Sequence, residues 1–226
     1  MLGHVSDASQ APNGPIDLSP LLGLRLRTPR LELRLPAPED LEALREVALE
    51  GVHPPEFMPF SIAWTDDPGL GSFLGYHELQ RRDWSVDAWD LELGVWVEGD
   101  PAGVQALQSE NFARTRAVGT GSWLGRRFQG RGVGTEMRTA VLELAFRGLG
   151  ATVARSGAID GNVASLRVSG KLGYREVGRS TVAPRGEVVG HADLELRRED
   201  WRPPCAVEIV GLTPCLSLFG VAPAQD

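Results

Sequence analysis

Gly121-Ser-Trp-Leu-Gly-Arg-Arg-Phe-Gln-Gly-Arg-Gly-Val-Gly-Thr-Glu-Met-Arg138 decides the fold. A strand ending near Leu124 runs into a turn with three glycines in close succession, Gly130, Gly132 and Gly134. From Val133, the residues Met137, Val141, Leu144 and Ala145 recur at helical spacing, and Gly148 and Gly150 stop the helix. Glycine lets a backbone approach a ligand closely and accept positive φ. The first amides of a helix lack intrahelical partners and lie at the positive end of its dipole. The pattern predicts an anion site for a phosphate or pyrophosphate, with Arg126, Arg127 and Arg131 adding charge. No lysine follows the glycines, which argues against a Walker loop, and the stretch lies past mid-chain, which argues against a dinucleotide-binding first turn.

Upstream, Leu31–Leu35 alternates as a half-buried strand, and the helix that follows ends at Gly51. His53–Phe60 is a proline-stiffened loop, and a second helix is expected over about 67–82. A hairpin turning at Glu98, Gly99 and Asp100 and a third strand lead to the glycine turn. Downstream come a buried strand at 151–159, a short helix capped by Asn162 and stopped at Gly173, and a closing strand pair. The order β-α-α-β-β-β-α-β-α-β-β predicts an α/β protein with a mixed sheet in one domain.

The chain has 226 residues and a formal charge of −7. Residues 1–120 carry 9 basic and 19 acidic residues, net −10, while residues 121–200 carry 13 and 9, net +4. The acidic total argues against nucleic acid, and the basic segment suits one local anionic ligand. No apolar run approaches the roughly 18 residues that span a bilayer. The N-terminal stretch does not read as a secretory leader. The two cysteines, Cys205 and Cys215, form no framework and no zinc-type spacing, so no metal is expected and a cytoplasmic setting is.

Gln129-Gly-Arg-Gly-Val-Gly134 resembles the Q/R-x-x-G-x-G/A signature of the GNAT N-acetyltransferase superfamily. Asn162-Val-Ala-Ser165-Leu-Arg-Val with Lys171-Leu-Gly-Tyr174, and the opening LRTPRLELRLPAPED, are similar to blocks of its RimJ/RimL-like branch. The resemblance covers roughly residues 24–202 and leaves a flexible arm at 1–23 and a tail at 203–226. It implies a GNAT-like acyl-CoA N-acyltransferase fold whose sheet splays at its middle around acetyl-CoA, or another acyl-CoA such as succinyl-CoA. Pantetheine would pair with the strand at Trp123 and Leu124. The phosphate end would engage Arg127, Gln129, Gly130, Arg131, Gly132, Val133, Gly134 and Thr135. Asn162 would hold the pantetheine arm, and Ser165 would protonate the leaving thiolate, because no tyrosine stands in the usual acid position. The acceptor would be an amine, on a small molecule or a protein N-terminus, and relatives are usually homodimers. A capping role is the alternative for Asn162 and Ser165. For the general base, Glu110 leads Glu92, Asp160 and His191. Phe57, Met58, Phe60 and Trp64 are expected to line the acceptor side.

Overall fold

The alternation at Leu31–Arg34 forms a strand, β2, that pairs with β1 (Arg25–Arg27) before it and β3 (Ala88–Val97) after it. These assignments come from a computed structural model, which describes residues 16–67 and 69–222. Pro38 starts α1 (Pro38–Leu49), and the Asp40 carboxylate accepts from the Ala37 amide at 2.8 Å and from Arg34. Leu41, Leu44, Val47 and Ala48 form its buried stripe. After the 53–66 loop, α2 (Leu70–Arg82) leads into the β3–β4 hairpin, with β4 at Asp100–Glu110. Its two-residue turn places Glu98 at φ 52 and Gly99 at φ 95, the handedness that matches the twist of the flanking strands.

A four-residue turn of helix, α3 (Phe112–Thr115), precedes β5 (Ala117–Leu124). Then come α4 (Val133–Glu143), extended by a π-helical turn at Leu144–Gly148, and β6 (Val153–Ile159). The chain continues through α5 (Val163–Lys171), β7 (Arg175–Val182), β8 (Val189–Arg197) and β9 (Glu208–Val210). The sheet runs β7-β8-β6-β5-β4-β3-β2-β1-β9. α1 and α2 pack on one face, and α4 and α5 on the other.

The sheet splits at its centre. β5 pairs antiparallel with β4 from Gln108↔Gly119 to Gly103↔Leu124. It pairs parallel with β6 only at Ala117↔Val153, Val118↔Ala154 and Gly119↔Arg155. Beyond Gly119 the two strands part, and β6 continues against β8 as far as Ile159↔His191. Two side-chain bonds bridge the root of the gap, from the Thr120 hydroxyl to the Arg155 carbonyl (3.3 Å) and from the Ser156 hydroxyl to the Thr120 carbonyl (3.4 Å).

Both chain ends add to this core. Residues 1–15 of the expected arm lie outside the described residues, but Ser19–Gly23 forms a 3-10 turn. Leu21 is buried in the main cluster, so the core begins before Leu24. The tail packs as well. β9 pairs with β1, and Thr213–Phe219 forms a 3-10 helix that buries Cys215, Leu218 and Phe219. The Phe219 ring lies 5.6 Å from Trp84 and 5.0 Å from Trp89, and Trp84 Nε1 donates to the Leu218 carbonyl at 3.1 Å. Among the described residues no helix is long and apolar enough to cross a membrane. Phe219→Ala empties a closed aromatic cluster. It should cost roughly 3–5 kcal/mol in urea-unfolding measurements, as other buried phenylalanines do.

Candidate functional site

The glycine turn is built from backbone. The Gly125 amide donates to the Ala102 carbonyl at 2.8 Å, closing β5, and Phe128 is buried beneath the turn. Gly130 (φ 71) and Gly132 (φ 82) both take the left-handed conformation. A Cβ at Gly130 would meet nothing within 4 Å, so that face of the turn is open. Gly132 caps α4 with no side-chain bond, which leaves the first helical amides to whatever occupies the gap. The Thr135 amide is already spent on the Gly132 carbonyl at 3.1 Å, so the candidate amides are those of 130–134.

Glu136 in the first turn of α4 does not cancel this positive end, because its carboxylate is taken up elsewhere. It accepts from Thr28 Oγ1 (2.6 Å), the Arg30 amide (3.1 Å) and Arg30 Nε (2.8 Å) and Nη2 (2.5 Å). Arg30 Nη1 also donates to the Arg131 carbonyl at 3.1 Å, and Arg30 Nη2 lies 3.4 Å from where a Gly132 Cβ would stand. Arg30 therefore braces the turn and sets a cation at its rim. Sequence reasoning missed it, because the contact joins positions 106 residues apart and no local pattern marks it.

Several expected ligands have other work. Gln129 Nε2 donates to the Val52 and Leu124 carbonyls, both at 2.7 Å, so it stitches the turn to β5 rather than facing a ligand. Arg127 forks onto Glu50 at 2.8 and 3.0 Å. The Arg131 side chain is exposed. Trp123 is a correction of a different kind. In an antiparallel pair the main chain of alternate residues turns toward the partner. The Gly125–Ala102 bond puts Trp123 in the set that faces β4. Ser122 and Leu124 face the gap instead, and the Leu124 amide remains available there. The Trp123 ring lies on the α1/α2 face, 5.6 Å from Trp64 and 6.2 Å from Phe73.

Across the gap, α5 supplies Asn162 and Ser165. Asn162 Oδ1 accepts the Ser165 amide at 3.0 Å, which is the capping role, and Nδ2 reaches the Pro59 carbonyl at 3.5 Å. The half-buried Ser165 hydroxyl makes no hydrogen bond among the described residues. Tyr174 reaches the root of the gap, with its hydroxyl 3.4 Å from Thr120 Oγ1, and burial pushes its phenol up.

The base candidates separate cleanly. Glu110 is exposed at the end of β4, opposite Ala88 and beyond Gln108↔Gly119. That register puts it past the closed root of the gap, so it cannot serve there. Asp160 is paired with exposed Arg179. Glu92 accepts from Tyr76 at 2.8 Å, and burial, with neighbouring Asp90, raises its carboxyl above the ordinary range. It stands two strands from the gap, in the row Glu92–Ala106–Gly121. His191 is nearer, since its ring lies so close over Gly157 of β6 that a Cβ there would collide with it. Asp193 Oδ1 holds His191 Nδ1 at 3.0 Å and accepts from Ser180 at 2.9 Å, and Nε2, free of that pair, stands over Gly157. The Ser180 bond, then the His191 bond, keeps the Asp193 carboxyl low.

On this same face, the 53–66 loop reaches across to the far wall. Phe57 packs on Gly161, Arg185 Nε bonds Asp66 at 2.8 Å, and Arg185 Nη1 bonds the Pro55 carbonyl at 3.0 Å. Met58 is buried, and Phe60 stacks near Trp64 at 5.4 Å.

Comparison with known proteins agrees with this geometry. The acetyltransferase (GNAT) domain family matches residues 30–175. The structure of Mycobacterium smegmatis RimJ in complex with CoA-disulfide is similar, with a TM-score of 0.68 and 19% identity over 80% of this chain and 90% of that one. A ribosomal-protein-serine acetyltransferase from Vibrio cholerae is similar at a TM-score of 0.61 and 21% identity, over 76% and 97% of the two chains. The microcin C7 self immunity acetyltransferase MccE, in complex with acetyl-CoA and AMP, gives 0.62 and 16%, over 75% and 93%. At these identities the likeness is one of fold.

The raised Glu92 carboxyl carries a stability consequence. A group whose pKa is higher folded than unfolded stabilises fully below its unfolded value, and that contribution is lost as pH rises through the folded value. Glu92→Gln keeps an acceptor for Tyr76 and removes the buried charge. It should raise the melting temperature at neutral pH and flatten the fall in stability above the ordinary glutamate value, about 4.3, in calorimetric scans across pH.

Proposed function

The chain belongs to the GNAT acetyltransferase family, whose members use acetyl-CoA, and on that premise we propose that it moves an acetyl group onto an amine by direct attack across the β5–β6 gap. The observation that supports this most is the parting of the two strands beside a glycine turn whose helix amides are uncapped. A pyrophosphate fits that turn, because its helix start carries no side-chain cap, the space over Gly130 is open and Arg30 stands at its rim. Acetyl-CoA supplies the acyl carbonyl and the thiolate leaving group. The gap-facing backbone of Ser122 and Leu124 offers donors to a pantetheine arm and to the developing oxyanion.

An ammonium acceptor must lose one proton to solvent before attack and a second as the carbon–nitrogen bond forms. We assign the second proton to His191 Nε2, which Asp193 orients and which stands over Gly157. The acceptor enters between the aromatic 53–66 loop and the β7–β8 turn, where Arg185 ties the two together.

Acetyl-CoA should bind in calorimetric titration, and CoA release should follow with a suitable amine. The panel should include peptides beginning with Ser or Ala, since similar folds are described as acetylating ribosomal proteins, together with a polyamine. Gly132→Glu, which strains a left-handed position and sets a carboxylate against the helix amides, should weaken acetyl-CoA by more than about a hundredfold. Normal binding by that variant, or none by the wild type, overturns the placement. His191→Ala should leave acetyl-CoA affinity unchanged and lower kcat by about 10²–10⁴. An unchanged kcat removes His191 from the mechanism.

A further inference from the structure

Arg138 is a buried cation with no anion. It lies on α4 at 5% exposure, and among the described residues no carboxylate pairs with it. Its Nη1 donates to Ser169 Oγ at 3.0 Å and its Nη2 to Ser122 Oγ at 3.1 Å, while the buried Nε has no partner. Desolvation works against the charge, yet a guanidinium does not give up its proton in a protein. Breaking a buried pair is costly because it strands a charge, and here the charge is already stranded.

Its place in the fold says what is missing. Ser122 belongs to the half of β5 that has left β6, and Ser169 lies one turn beyond Ser165 on the same face of α5. Arg138 therefore spans the two walls of the gap from the α4 side. The Tyr174 and Thr120 hydroxyls stand beside it at the root. Tyr174 is the titratable group that faces it. β5 carries none, Arg167 and Lys171 of α5 are exposed, and Arg155 of β6 is exposed and paired with Glu195.

Resting on the acyl-CoA reading of the gap, we propose that Arg138 stabilises the coenzyme A sulfur as a thiolate. As the amine nitrogen bonds to the acyl carbon, the carbon–sulfur bond breaks and its electron pair stays on sulfur, facing the guanidinium. The ammonium has already given one proton to solvent, the second nitrogen proton goes to His191 as the bond forms, and no acid protonates the sulfur in the gap. Solvent does so after release. Ser165 then has no proton to supply, which suits a hydroxyl that is a poor acid.

The test needs no acceptor. A bound thiol with a lowered pKa makes CoA bind more tightly as pH rises toward the ordinary thiol value, about 8.5. Calorimetric affinities for CoA and for desulfo-CoA, in which hydrogen replaces the thiol, should be measured from about pH 6 to 9. In the wild type the CoA to desulfo-CoA affinity ratio should grow by at least about tenfold across that range, one pKa unit being tenfold. Arg138→Met should flatten the ratio while desulfo-CoA still binds, and Arg138→Lys, which keeps the charge, should retain part of the slope. A ratio in the wild type that does not change with pH overturns the proposal without any variant. So does a slope that survives in Arg138→Met. A wild-type preference for succinyl-CoA over acetyl-CoA that disappears in Arg138→Met would make Arg138 a carboxylate site and overturn it too. If neither CoA nor desulfo-CoA binds the wild type, the acyl-CoA reading itself fails.

Discussion

The rest of the structure depends on one interruption, the end of β5–β6 pairing at Gly119↔Arg155. A sheet that stops pairing in its middle exposes main-chain donors and acceptors that must find other partners. At the root, hydroxyls of Thr120 and Ser156 take over from the ladder. Further out, the edge of β5 stays open, and the surrounding parts are placed around that opening. α4 brings its amino end to one side and α5 brings Ser165 across from it. On the other face, the 53–66 loop spans from wall to wall. A gap of this kind holds an extended ligand by its backbone, which explains why glycine and small polar residues line it.

What could be read from the sequence was local. The glycine turn, the two-residue hairpin and the 31–34 alternation each carry their own stereochemistry, so strand and helix order followed from short windows. The site was harder, because residue type does not reveal the neighbour. Gln129 and Arg127 have the chemistry of ligands, but two carbonyls and Glu50 claim them first. Trp123 is in the right strand with the wrong parity, a one-residue matter that only register decides. Glu110 failed for the same reason, since counting along β4 puts it past the root. Arg30 and Arg138 act through contacts between distant segments, and nothing in the sequence around them differs from surface arginine.

The charge asymmetry also looks different in three dimensions. The basic middle segment and the acidic first part of the chain neutralise one another across the fold. Arg127 meets Glu50, and Arg185 meets Asp66. Exposed pairs of this sort add little stability and chiefly fix geometry. Here they anchor the glycine turn and the acceptor-side loop. The positive charge left for a ligand is therefore local, and includes the helix amides, the exposed Arg131, the rim at Arg30 and the stranded guanidinium of Arg138.

The pairing of β1 with β9 has a consequence for the order of synthesis. β1 leaves the ribosome well before β9, its partner in the sheet. Until the chain has been made through Val210, β1 is an unprotected sheet edge, and the Trp84–Trp89 pair lacks the Phe219 ring that covers it. Until then the nascent chain carries a sticky edge and an open aromatic face. The 208–219 segment therefore closes both the sheet edge and the aromatic cluster, although it lies far from the chemistry.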